Sequence, residues 1–157
     1  MPIETERKFL VDREKLYNVM GFHSVLWQHE TIKQYYIMAT KEVTIRMRLH
    51  QDKSVLCIKY GGNGISVNEL EFDLPIEDYF IRKSEMIGNE LVKKRYPFYF
   101  GDKKWELDIF QGLDLMLLEL EHPNAAQETF MPPCIGLEVS EDSRYKNAVL
   151  ALKGYEP

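Results

Sequence analysis

The chain has only two cysteines in 157 residues, Cys57 and Cys134. They make no C-x-x-C and no disulfide framework. No apolar run approaches the ~18 residues that a membrane-spanning helix needs. The opening Met1-Pro2-Ile3-Glu4-Thr5-Glu6 carries neither the basic nor the apolar region of a secretory signal. Positive charge is outnumbered, with 20 Lys and Arg against 25 Asp and Glu, a net charge of −5. That balance excludes an overall nucleic-acid footprint. Gly61-Gly62-Asn63-Gly64 is not followed by G-K-[ST], so it is no P-loop and reads as turn chemistry. His23, His29, His50 and His122 lack metal-ligand spacing and read as surface or strand-edge residues, and no Ser/His/Asp or Cys/His nucleophile is visible. Repeats, low-complexity tracts and linkers are missing too. These absences leave one globular domain over residues 1–157, soluble and cytoplasmic, with free thiols and no membrane or nucleic-acid partner. Its 45% hydrophobic and 29% charged content suits that class.

What the chain does have is alternation. Side chains on a strand point to opposite faces with period two. On that basis Pro2–Val11, Thr31–Met38, Val43–His50, Ser54–Tyr60, Val67–Leu74, Leu91–Tyr96, Trp105–Phe110 and Leu115–His122 read as strands. Val43, Ile45, Met47 and Leu49 oppose Thr44, Arg46, Arg48 and His50, the cleanest case. Asp12 is placed to cap a short helix over Asp12–Met20, stopped by Gly21. Helices are also expected at Pro75–Glu85 and Asp142–Lys153. In the last, Tyr145, Ala148, Val149 and Leu152 share a side and Gly154 caps the end. Gly88-Asn89 reads as a turn, and Leu137–Ser140 as a short extended piece beyond Pro132-Pro133. Trp27 and Trp105 are read as core or helix-packing residues, and Cys57 as small packing filler on a charged face. The fold is thus all-β dominated, within the α+β class.

The polar faces do not look like faces turned to water. A solvated face mixes signs, because like charges close together are destabilising. Here one sign recurs at i, i+2: Glu4/Glu6, Glu69/Glu71 and Glu119/Glu121 are acidic, while Arg46/Arg48 and Lys93/Arg95 are basic. Two such side chains on one strand face stand about 7 Å apart. Lys8 and Lys59 add to the basic set. A polyanion satisfies the basic residues, and a hard divalent cation with oxygen ligands satisfies the acidic ones. Both needs are met by a metal-bound phosphate chain. Closing the strands into a barrel turns the charged faces inward and the apolar faces outward, toward a layer of helices. Charge balance alone further predicts that removing Lys8 or Arg48 costs activity while stabilising the empty tunnel.

Glu4-x-Glu6-x-Lys8 resembles the E-x-E-x-K signature of the CYTH, or triphosphate tunnel metalloenzyme, superfamily. It is joined in the family's order by Arg46-x-Arg48, Lys59, Glu69-x-Glu71, Lys93-x-Arg95, Asp108 and Glu119-x-Glu121. The start I-E-T-E-R-K-F-L-V, the E-D-S-R-Y-K-N near the end and the compact length resemble the short bacterial inorganic triphosphatases. The resemblance implies an eight-stranded antiparallel closed β-barrel, a tunnel with peripheral helices and a C-terminal plug helix. It implies that Lys8, Arg46, Arg48, Lys59, Lys93 and Arg95 hold phosphate oxygens of a small-molecule triphosphate, with Lys146 pointing inward from the plug. Glu4, Glu6, Glu119 and Glu121 would hold Mg²⁺ or Mn²⁺, and Glu4 or Glu6 would orient or deprotonate the attacking water. Glu69, Glu71 and Asp108 would complete the metal shell or lock the basic residues. Tyr36 could touch substrate or simply pack. The activity implied is metal-dependent hydrolysis of inorganic triphosphate. Class IV adenylate cyclase, thiamine triphosphatase and a non-catalytic polyphosphate-binding or nucleotide-binding module are the rivals, and a homodimer stays open.

Overall fold

The structure, a computed structural model, describes residues 3–63, 65–121 and 130–156, apart from the side chains of residues 3, 4 and 63. Its strands are β1 (Ile3–Val11), β2 (Glu30–Ala39), β3 (Val43–His50), β4 (Lys53–Asn63), β5 (Ser66–Pro75), β6 (Ile87–Phe100), β7 (Lys103–Phe110), β8 (Met116–Glu121) and β9 (Ile135–Glu138). They form one antiparallel sheet in the order β5-β4-β3-β2-β6-β7-β8-β1-β9, and an additional β5–β1 pairing closes the first eight into a barrel. β9 lies outside the closure, beside β1, where Arg7 grips Glu138 with two donors at 2.8 and 2.6 Å. Helix α1 (Arg13–Asn18) is capped by Asp12, whose carboxylate accepts from the Lys15 N–H at 3.1 Å.

The period-two split of the sequence becomes the inside and outside of the barrel. Phe9, Tyr96, Trp105, Leu107, Leu118 and Leu120 point outward into a cluster roofed by Leu16 of α1, Phe22 and Cys134. Trp27 packs on its edge, so both tryptophans are packing residues. A second outer cluster joins Tyr35 and Met47 to Tyr79 of α2 (Glu77–Ile81). Cys57 and Cys134 are both free and buried. Among the described residues no helix is long and apolar enough to cross a membrane.

Three local expectations are corrected. The stretch 75–85 divides into α2 and a 3-10 turn at Arg82–Glu85. Gly88-Asn89 is no turn but lies within β6. Between Gln34↔Leu91 and Tyr36↔Ile87, β6 uses two more residues than β2, and Gly88 absorbs this bulge at φ +65°. A Cβ there would come within 2.5 Å of the Ala151 carbonyl oxygen, so the missing side chain also lets the C-terminal helix sit against the strand. That helix is shorter than expected. Ser143–Tyr145 is a 3-10 turn, Lys146 is extended (φ −70°, ψ 136°), and α3 runs only from Asn147 to Lys153. The break at Lys146 resets the helical phase, so Leu150 and Ala151 are buried with Tyr145, whereas Leu152 is exposed. Gly154 does cap the end, at φ +74°. The buried residues of this segment pack against Tyr36, Leu91, Phe110 and Leu117, so α3 plugs one end of the barrel.

Candidate active site

Barrel register gathers the charged residues. Across β1 and β8, Glu6 faces Glu121 and Lys8 faces Glu119; across β8 and β7, Glu119 faces Glu106. Arg95 faces Asp108, Gln34 faces Arg48, and Tyr36 faces Arg46. Cys57 lies opposite both Arg46 and Glu71, and Lys59 opposite both Thr44 and Glu69. Seven predicted side chains, Lys8, Tyr36, Arg46, Lys93, Arg95, Asp108 and Glu119, are buried inside the barrel.

Asp108 is the hub of the deepest group. Its two oxygens accept from Arg95 Nε and Nη2, both at 2.8 Å, and Lys93 Nζ stands 2.7 Å from Oδ2. Arg95 also reaches Glu119 at 3.3 Å and Glu106 at 3.5 Å. Asp108 is thus paired with two of the basic residues at once. Burial pushes its carboxyl up, yet Lys93 and Arg95 together hold it well below the usual carboxylate range. One carboxylate serving two cations leaves Lys93 short. Burial and the Arg95 charge outweigh Asp108 and bring the Lys93 ammonium down to about 8. Lys93 Nζ also donates to Asn147 Oδ1 of α3 at 3.5 Å and lies 5.3 Å above the Phe110 ring.

Lys8 is placed differently. Its ammonium lies 3.7 Å from Glu6 and 3.9 Å from Glu119, and donates to the Tyr145 carbonyl at 3.2 Å. Burial lowers its pKa, but the two carboxylates more than reverse this and the net shift is upward. Glu119 moves the other way from most paired acids. Burial, then Glu6 and Asp108, raise its carboxyl above the ordinary value. Carboxylates crowded into a buried site in this way are a donor set that suits a hard, oxygen-seeking cation. Arg48 is half-buried, and burial with the nearby Arg46 and Arg95 lowers its guanidinium to about 10.

Glu6, Lys8, Tyr36, Lys59 and Lys146 line one cavity of about 530 Å³, between the plug and the β2–β3 and β4–β5 hairpins. That volume lies in the range of small-molecule sites. Lys146 is exposed at its rim, while Arg46, Arg48, Lys93 and Arg95 stand off its wall. Lys59 pairs with Glu69 at 3.7 Å. Glu69, Glu71 and the Cys57 thiol place one donor atom each within 4.8 Å of one another, and burial keeps the thiol up and protonated. Glu121 is exposed at the end of β8. The Glu4 side chain and His122 lie outside the described residues. His23, His29 and Glu30-paired His50 sit outside this constellation.

Sequence reasoning missed Glu106 and Gln34 as members of the constellation, and the tether of Lys93 to Asn147. Glu106 was legible, since it shares the strand face of Asp108. Gln34 carried no charge to mark it, and Asn147 is brought to Lys93 only by the plug.

No family model matches the chain. Two curated relatives do, both named inorganic triphosphatase. That of Acetivibrio thermocellus is 31% identical over 156 residues, covering 98% of this chain and 96% of the relative. That of Nitrosomonas europaea is 34% identical over 155 residues, covering 95% and 97%. Among solved structures, the inorganic triphosphatase NE1496 superposes with a TM-score of 0.68 at 30% identity over 99% of both chains. A putative adenylate cyclase from Bacillus halodurans, with a TM-score of 0.60 at 15% identity over 79% of this chain and 83% of that one, shares the fold. With the closed barrel and its inward charges, these matches assign the chain to the inorganic triphosphatase family of the CYTH, or triphosphate tunnel metalloenzyme, superfamily.

Proposed function

We propose that this protein hydrolyses inorganic triphosphate in a divalent-metal-dependent reaction inside the barrel, in the cytoplasm. The observation that carries the proposal is the joining of two opposed charge sets in one closed lumen: Lys8, Arg46, Arg48, Lys93 and Arg95 beside Glu6, Glu106 and Glu119. The near-complete alignment with curated triphosphatases supports the choice of substrate. Phosphoryl transfer asks for positioning and charge stabilisation more than for a covalent nucleophile. The arginines grip phosphate oxygens through their forks, and the lysines act as point charges. Glu6, Glu119 and Glu121, with Glu4, would hold Mg²⁺ or Mn²⁺, and the ion would supply charge withdrawal from the phosphoryl group and a lowered pKa for bound water. Glu6, or Glu4, orients or deprotonates the attacking water. Lys59 and Lys146 meet the substrate at the cavity, and Tyr36 walls it.

The test is phosphate release from tripolyphosphate, ATP and thiamine triphosphate, with and without Mg²⁺ or Mn²⁺, with ATP also followed for cyclic AMP. Metal-dependent release from tripolyphosphate, with ATP slow, is expected. Cyclic AMP with pyrophosphate would move the chain to cyclase chemistry. Binding without turnover would leave only a polyphosphate-binding module.

A pH dependence follows from Lys93. The free protein loses this charge above about pH 8. Metal-free binding of tripolyphosphate therefore weakens above that pH, approaching tenfold per unit as one proton must be regained. Calorimetric titration from pH 7 to 10 in EDTA checks it, and a flat affinity would contradict it. For stability the sign is opposite. Between about 8 and 10.5 the unfolded chain holds this proton more firmly, so the contribution of Lys93 to unfolding free energy rises with pH.

A further inference from the structure

We infer that Gln34 is a further substrate-binding residue, its side-chain amide donating to a phosphate oxygen of the anion held by Arg48. The inference deepens the triphosphatase proposal and rests on it. Gln34 lies in the middle of β2 with no exposed surface, opposite Arg48 on β3 and Leu91 on β6. Its Oε1 accepts from both Nε and Nη2 of Arg48, at 3.3 and 3.1 Å. A guanidinium offers five N–H donors and no acceptor. The oxygen is therefore the end of the amide that must face it, and the NH₂ group is turned away.

That nitrogen, Nε2, is buried and has no hydrogen-bond partner among the described residues. A buried amide donor left unmade costs about 1–3 kcal/mol, so it is rarely tolerated without a use. The charged neighbours felt most strongly by Arg48 are Arg46 and Arg95, neither of which can accept a hydrogen bond, and the next, Asp108, already accepts from Arg95 and pairs with Lys93. An anion drawn to Arg48 supplies the missing acceptor. The Arg48 contact has a second consequence. By taking the Nε–Nη2 edge of the fork, Gln34 fixes the guanidinium plane and leaves the Nη1 side to meet phosphate. Gln34 thus both orients a cation and adds a neutral donor, which strengthens anion binding without adding to the repulsion among the arginines.

The experiment uses the full chain, in EDTA, with tripolyphosphate as the probe. Gln34→Met keeps the side-chain length and removes both the donor and the acceptor. Affinity is measured by calorimetry, and the side-chain amide pair of Gln34 is followed in ¹H–¹⁵N spectra, assigned by its absence in Q34M. The expected result is roughly tenfold weaker binding by Q34M, matching one hydrogen bond to a charged group, together with a downfield movement of the wild-type amide protons on titration. A residue that served only packing would not show that movement. If Q34M does not fold, the pair is assigned by through-bond correlation in the wild type, and the shift alone decides. Tripolyphosphate binding that leaves the amide protons unmoved overturns the Gln34 assignment and spares the triphosphatase proposal. No binding by the wild type, either in EDTA or on repetition with Mg²⁺ or Mn²⁺, overturns both.

Discussion

Replacing Asp108 by Asn lowers the melting temperature by roughly 10 °C and the turnover of tripolyphosphate by about a hundredfold. The reason is the count of charges around one carboxylate. Asp108 and Lys93 are completely buried, Arg95 nearly so, and both cations depend on Asp108 at 2.7–2.8 Å. Removing one partner of a buried ion pair costs about 3–5 kcal/mol, because the other charge stays in a poor dielectric without compensation. Asparagine keeps one acceptor oxygen, which favours the low end, about 3 kcal/mol, and for a chain of this size each kcal/mol moves the midpoint by about 2–4 °C. Catalysis suffers for a geometric reason. Two cations that the proposed reaction sets on phosphate lose the group that fixes their position, and misplacement on the order of 1 Å costs about 10²-fold. Thermal unfolding by circular dichroism and steady-state phosphate release measure the two effects. An unchanged midpoint would mean that Asp108 does not anchor the network. The pH profile offers an independent check. The folded Asp108 carboxyl is depressed, so its stabilisation is present above the ordinary aspartate range and fades as the pH falls toward its folded value. The wild type should lose more stability between pH 5 and pH 2 than D108N does.

The charged lumen was readable because strand alternation is a strictly local code. Once Arg46 and Arg48 oppose Ile45 and Met47 on one strand, no long-range fact is needed to say that they share a face. The same holds for Lys93 with Arg95 and for Glu119 with Glu121. What escaped depends on contacts between distant segments. Gly88 looked like a turn because glycine beside asparagine usually is one. Its use is a bulge within β6 and close passage of Ala151, which belongs to a helix some sixty residues later. The helix phase failed at Lys146 for a similar reason. Lys8 binds the Tyr145 carbonyl and Lys93 binds Asn147, so the plug is held at two points on either side of the break. Sequence periodicity could not register those tethers. Gln34 was missed since its role lies in an orientation imposed by Arg48, not in residue type.

Charge balance read from the sequence treated Lys8 and Arg48 alike, and the structure separates them. Arg48→Met should cost at least a hundredfold in tripolyphosphate turnover, yet leave the empty protein as stable as the wild type or more stable by up to about 2 kcal/mol. Burial with Arg46 and Arg95 nearby holds its guanidinium down at about 10, so its charge is a burden on the unliganded fold at neutral pH. Part of the relief is offset by loss of the bonds to Gln34, each worth about 1 kcal/mol. Lys8→Met should also abolish most turnover, but with the opposite effect on stability, a loss of about 2–4 kcal/mol. Lys8 stands between Glu6 and Glu119 and satisfies the Tyr145 carbonyl, so its removal leaves crowded carboxylates without their cation. The Glu119 carboxyl, already raised, then moves further up. Denaturant unfolding of the two variants in EDTA and in Mg²⁺ distinguishes the cases. Added Mg²⁺ should restore much of the stability lost in K8M, because those carboxylates become better metal ligands when the ammonium is gone, and should do little for R48M. Equal destabilisation of both variants would mean that volume, and not the sign of the local charge, governs the interior of this barrel.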